Sequence, residues 1–188
     1  MKKFFLILVF LMFNLSTYAQ SHIEFKGIPL TGHIDDFMQK MQNEGFLLVE
    51  KYDKSVVWYK GKFAGLDADI VVFTTPSTQT VYEVCVCSEH DSWYDLKKSY
   101  FDYKKMYENK YGKPFAEKET FHSPYCEGDG YELAALRDNK CEYSSSYELN
   151  GGIVTVSLEV QHGNVVLQLC YIDEIGYNLR EMEKMNDI

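Results

Sequence analysis

The chain has 188 residues, 46% of them apolar, and sets 28 acids against 19 Lys and Arg for a formal net charge of −9. That length suffices for one packed core, and an acidic balance without a Lys/Arg stripe argues against nucleic-acid backbones and anionic lipid surfaces as partners. A basic protein would be attracted at long range, although acidity is also a common route to solubility.

The chain opens with Lys2 and Lys3, an apolar run over residues 4–13, and Thr17-Tyr18-Ala19 before Gln20. This is the layout of a secretory signal peptide over residues 1–19, and its apolar run is too short to span a bilayer. Export to the periplasm or the extracellular space is the expectation. No Cys follows the run, so no lipid anchor is expected at the cleavage site. Without Lys2 and Lys3 the 19 bases become 17 against 28 acids, and the mature net charge is −11. No later stretch reaches membrane-spanning length.

Ile34, Phe37, Met38 and Met41 recur at helical spacing, with Thr31 as the expected N-cap, Asp35 and Asp36 at the positive end and Gly45 at the stop. Four strands are predicted next, over 47–52, 56–63, 68–74 and 80–87, separated by short turns. A second helix starts at Ser92 with Asp95, carries the stripe Trp93, Leu96, Tyr100, Tyr103, Tyr107 and Tyr111, and ends at Gly112 and Pro114. Residues 113–130 read as a long loop. Four more strands are predicted over 131–137, 141–149, 153–160 and 165–172, and a helix over 175–186.

At a constant spacing of 85, Asp53 aligns with Asp138, Leu48 with Leu133, Trp58 with Tyr143, Cys85 with Cys170 and Glu89 with Glu174. That spacing predicts an internal duplication. Short turns require antiparallel meanders, and each apolar sheet face needs a helical cover. The predicted fold is α+β: two tandem helix-plus-four-stranded antiparallel meander units, residues 20–90 and 91–188, with a C-terminal helix, in one compact body.

Two stretches carry a resemblance. Phe25-Lys26-Gly27-Ile28-Pro29-Leu30-Thr31-Gly32, with Phe37 and Gly45-Phe46, resembles the opening of small exported proteins of Bacteroidetes-type bacteria, and Lys110-Tyr111-Gly112-Lys113-Pro114 resembles a second element of that group. The repeated helix-plus-four-strand plan is similar to that of the beta-lactamase inhibitor protein. The resemblance implies a non-catalytic binder, and its motifs are turns, caps and core anchors, so no binding residue transfers.

Five cysteines follow the leader, and an odd number leaves at least one unpaired within the chain. Cys126 and Cys141, beside turns, are the disulfide candidates; five reduced, buried thiols are the alternative. His122 and Cys126 share the long loop with Glu127 and Asp129, which makes a Cys–His pair conceivable. Cys85 and Cys87 precede Glu89, His90 and Asp91, but dedicated metal spacing is missing, so no metal is expected. Asn150-Gly151-Gly152 is a hairpin turn rather than a phosphate loop, and no cofactor is expected. Trp58 and Tyr59, and Tyr143, Ser144, Ser145, Ser146 and Tyr147, occupy the second strand of each set; Tyr and Ser together are typical of binding surfaces, and Trp58, Tyr59, Tyr143 and Tyr147 are the predicted contact residues for a partner. The reading is a non-catalytic exported binding protein of inhibitor or immunity type. The alternatives are a thiol-dependent or hydrolytic enzyme using His122 and Cys126, and a carrier of a small apolar ligand.

Overall fold

A computed structural model describes residues 21–186, so the predicted leader lies outside the described residues. The first piece is a ribbon of β1 (Glu24–Phe25) and β2 (Ile28–Pro29), turned by Lys26 and Gly27 at positive φ. Ile23, Phe25, Ile28 and Leu30 are all buried. At about 2 kcal/mol for each large apolar side chain, their burial holds a ribbon too short to persist alone. Helix α1 (Ile34–Asn43) then turns Ile34, Phe37 and Met41 inward, as the spacing predicts. Its cap is His33, whose Nδ1 accepts the Asp35 N–H at 3.3 Å, in place of Thr31.

Strands β3 (Leu47–Tyr52), β4 (Val56–Phe63), β5 (Leu66–Thr74) and β6 (Val81–Glu89) follow, then helix α2 (Trp93–Tyr111). The Ser92 Oγ accepts the Asp95 N–H at 3.1 Å, so Ser92 caps the helix as the sequence predicts, while the Asp95 carboxylate accepts the Ser92 hydroxyl at 2.6 Å and not the Ser92 backbone N–H of a full capping box. The second half contains β7 (Ala116–Phe121), α3 (Glu132–Arg137), β8 (Cys141–Leu149), β9 (Gly152–Gln161), β10 (Asn164–Asp173) and α4 (Glu174–Met185). The described residues thus form an α+β structure of four helices, the small ribbon and one antiparallel eight-stranded sheet, ordered β3-β4-β5-β6-β10-β9-β8-β7. Each half of the sheet is a meander, and the two meet where β6 runs antiparallel to β10, with Cys85 opposite Cys170. Among the described residues no helix is long and apolar enough to cross a membrane.

Three expectations are corrected. Residues 131–137 form α3, a helix that buries Ala135 and Leu136; Glu-Leu-Ala-Ala-Leu-Arg consists of strong helix formers. The outer strand of that half is instead β7, inside the predicted loop over 113–130, paired with β8 from Ala116↔Ser146 to Phe121↔Cys141. The spacing of 85 also fails as a single offset, because Tyr143 is 4% exposed beneath α2 whereas Trp58 points to the opposite face. The β4–β5 ladder, with Trp58↔Val71, matches the β8–β9 ladder, with Ser144↔Ser157, at a spacing of 86. One residue of slip exchanges the two faces of a strand.

The core lies on one face, under α1, α2 and α3, and packs Val57, Tyr59, Ile70 and Val72 with Tyr147, Val156 and Leu169. Its buried tyrosines find partners: the Tyr100 hydroxyl bonds to Ser145 Oγ at 2.7 Å, Tyr103 donates to the Ala64 carbonyl at 2.6 Å, and Tyr107 bonds to Tyr171. Tyr59 is the exception, with a buried hydroxyl that has no hydrogen-bond partner among the described residues. Glycine is required where backbones close up. A Cβ on Gly61 would sit 2.5 Å from the Phe46 ring, and one on Gly176 would sit 2.7 Å from Tyr82 Cβ, blocking α4 from β6.

Candidate functional site

The alternation that turns Val57 and Tyr59 into the core turns Val56, Trp58 and Lys60 the other way. On this second face the buried apolar residues are few: Cys85, Cys87, Val166 and Cys170, with Phe73 against them. Beside this cluster lies an open cleft of about 650 Å³, crossing β4, β5, β6 and β10 towards the β9–β10 turn. Its floor is apolar, from Val56, Val71 and Val166, and its walls carry Tyr52, Trp58, Lys60 and Asp69 on one side and Glu89, Gln161, His162 and Asn164 on the other. Mixed apolar and polar lining of this size is what binding sites use.

The near wall is ordered by its own contacts. The Trp58 indole donates its Nε1–H to Asp69 Oδ1 at 2.8 Å, and the Tyr52 ring stacks beside it with centroids 6.4 Å apart and planes 19° from parallel. The Lys60 Nζ lies 5.3 Å from the Trp58 ring centroid and 3.6 Å from Asp69 Oδ1. On the far wall, the Asn164 amide donates to Glu89 at 2.8 Å, and no cation reaches Glu89 among the described residues. Cys87, at the floor, accepts from Gln161 Nε2 at 3.1 Å; burial pushes its thiol pKa up, against the Gln168 and Gln161 amides.

Charge on this face is uneven. Its three lysines are each met by an acid: Lys60 by Asp69, Lys62 by Asp67 at 3.6 Å, and Lys118 by Glu142 at 3.0 Å. Glu89, Glu148 and Glu159 have no basic partner among the described residues. The Glu159 carboxyl is held above its ordinary range by burial, with Glu142 adding to the shift and Ser157 opposing it.

Of the predicted contact residues, only Trp58 stands on this surface. Tyr59 is 0% exposed, Tyr147 1% and Tyr143 4%, so these three are core residues and not contacts. Their strands put every second side chain beneath the helices, and large aromatic rings take the buried parity. The disulfide is likewise elsewhere: Cys85 bonds to Cys170, while Cys126 is an exposed free thiol and Cys141 a buried one. The antiparallel register sets Cys85 and Cys170 directly across from each other, whereas Cys141 lies in the core at the start of β8, its thiol pushed up to about 12 by burial. His122 and Cys126 share no side-chain hydrogen bond; the Cys126 N–H is held by Asp129 at 2.9 Å. The carboxylate of Glu83 and the sulfurs of Cys85 and Cys170 lie within 4.8 Å of one another, but both sulfurs are taken by the disulfide, so no thiolate ligand is offered.

Three contributors were missed by sequence reasoning. Glu89 carries no local signal of a binding site in the sequence, and only the sheet brings it opposite Trp58. Asp173, 0% exposed, accepts from His22 Nδ1 at 3.0 Å, from the Ile23 N–H at 3.1 Å and from the Gly176 N–H at 2.8 Å, joining the start of the described chain to α4. Glu183 on α4 receives the Ser77 N–H at 2.7 Å and the Thr78 hydroxyl at 2.5 Å, fastening the β5–β6 turn. Their only signal was an acid at a helix start or on a helix face, which many solvated acids share. Comparisons with family models, with curated proteins and with solved structures return no match.

Proposed function

We propose that the chain is an exported, non-catalytic binding module of inhibitor or immunity type that docks a basic protein on the part of the sheet face opposite the core that the C-terminal helix leaves open. In this reading residues 20–90 and 91–188 are two helix-plus-meander units, the second taking β7 as its outer strand, in a plan like that of the beta-lactamase inhibitor protein. The observation that carries the reading is the charge on that face. Among the described residues, every lysine there is neutralised internally, while Glu89, Glu148 and Glu159 are left with no cation. A partner that supplies cations gains attraction at each, and the mature charge of −11 steers it inward. Trp58 and Tyr52 supply rigid aromatic contact area beside these acids.

The test uses the mature chain, immobilised, to retain envelope proteins, followed by rebinding of each retained protein to the triple variant Glu89→Gln, Glu148→Gln, Glu159→Gln. The retained proteins should be basic, should associate more slowly as salt rises, and should bind the variant at least about tenfold more weakly. Retention of acidic proteins, or equal binding by the variant, overturns the reading.

A further inference from the structure

We infer that the cleft beside Trp58 is a subsite for an arginine side chain of the docking partner, and that Lys60 occupies it in the free protein. This rests on the docking reading above and names the group that would anchor it.

Lys60 reports what the Trp58 wall accepts. Its ammonium sits over the indole ring and against Asp69 at the same time, at 5.3 Å and 3.6 Å, so one cation satisfies both a ring quadrupole and a carboxylate. The lysine side chain is 58% exposed. An exposed ion pair of this kind contributes little, so the occupant is held weakly and can be displaced. An incoming guanidinium has an advantage over it. It is planar, it stacks on the flat wall that Trp58 and Tyr52 form, and it presents several donors to one carboxylate. Its aliphatic stem covers the apolar floor at Val71. Glu89, across the cleft and without a cation, adds attraction that Lys60 leaves unused.

The experiment follows the Trp58 indole Nε1–H resonance by NMR in the full mature protein while Nα-acetyl-arginine methylamide is added, with Nα-acetyl-norleucine methylamide as a neutral control. The resonance is assigned by its loss in Trp58→Phe. The arginine probe should shift it saturably, the norleucine probe should not, and added salt should weaken the effect. Lys60→Met should tighten the probe by about three- to fivefold by removing the competitor. Lys62→Met removes the same charge from the same face and should change binding by less than about twofold. Three results overturn the subsite: no saturable shift, an equal shift from norleucine, or equal tightening by both lysine variants. The norleucine result would instead favour an apolar-ligand carrier, and equal tightening would reduce the effect to general electrostatics. A retained basic protein that binds Trp58→Phe and Lys60→Met as it binds the parent would remove the subsite and leave the docking face standing.

Discussion

Replacing both Cys85 and Cys170 by alanine opens a covalent loop of 85 residues. In the chain-entropy description, closing a loop that long removes about 4.5 kcal/mol of freedom from the unfolded ensemble, and measured native disulfides fall at about 2–5 kcal/mol. The ladder between β6 and β10 stays in place without the bond, since its backbone pairs run from Val166↔Glu89 to Ile172↔Glu83. The expected loss is therefore about 3–4 kcal/mol, felt through the unfolded state. With a urea m-value of about 2 kcal/mol/M for a chain of this size, the unfolding midpoint should fall by about 1.5–2 M. Cys87, on the same face of β6, is changed to alanine in both parent and variant so that no new pairing forms. Fluorescence and circular dichroism should give one coincident transition in each. A midpoint shift below about 0.5 M would refute the loop-closure argument. Counting thiols on the unreduced, denatured native chain checks the pairing itself: three of the five cysteines, Cys87, Cys126 and Cys141, should react, and five would refute the bond.

Tyr59→Phe removes a buried hydroxyl with no partner among the described residues, and should leave stability unchanged or raise it by about 1 kcal/mol; Tyr100→Phe, which strands Ser145 Oγ, should lower it by about 1 kcal/mol. Thermal unfolding of the two variants gives the ordering, and equal losses would contradict it. Burial opposes the charge on Glu183, but the Thr78 and Ser77 donors outweigh it and hold the carboxyl below its ordinary value of 4.5. Because the folded value is depressed, the stabilisation is full above pH 4.5 and is lost as pH falls through the lowered value. Glu183→Gln should thus cost about 1–2 kcal/mol near neutral pH, and its deficit should shrink in acid; a deficit that is constant with pH would refute the carboxylate clamp.

The strands that bury one side were legible because alternation is a direct imprint of a half-covered sheet. Val56–Phe63 and Cys141–Leu149 fall where period and turns predict them, whereas Leu47–Tyr52, exposed along its whole length, was legible only from its apolar and aromatic residues and the turn after it. The β7 strand, Ala-Glu-Lys-Glu-Thr-Phe, was not legible because an edge strand with only Phe121 half-covered has no apolar side to show. The α3 segment is six residues long, too short for its period to separate helix from strand. The site was legible only at Trp58. Alternation shows that Trp58 and Tyr59 face opposite ways but not which side the helices cover, and that choice inverted the reading of Tyr59, Tyr143 and Tyr147. The Cys85–Cys170 bond depends on which two strands join the halves, a long-range choice with no local signature.

The knot at Asp173 bears on when this protein can mature. Ile23 waits for a residue 150 positions later, and Ser21 donates to the carbonyl of Asn150 at 2.8 Å. Because β10 is both an inner member of the sheet and the last strand made, a nascent chain lacking it can stack Phe25 on Phe46 and Phe63 but has neither Tyr171 nor Asp173 to finish seating the opening ribbon. Completion of the core is thereby deferred to the end of synthesis, and contacts this distant in sequence close slowly.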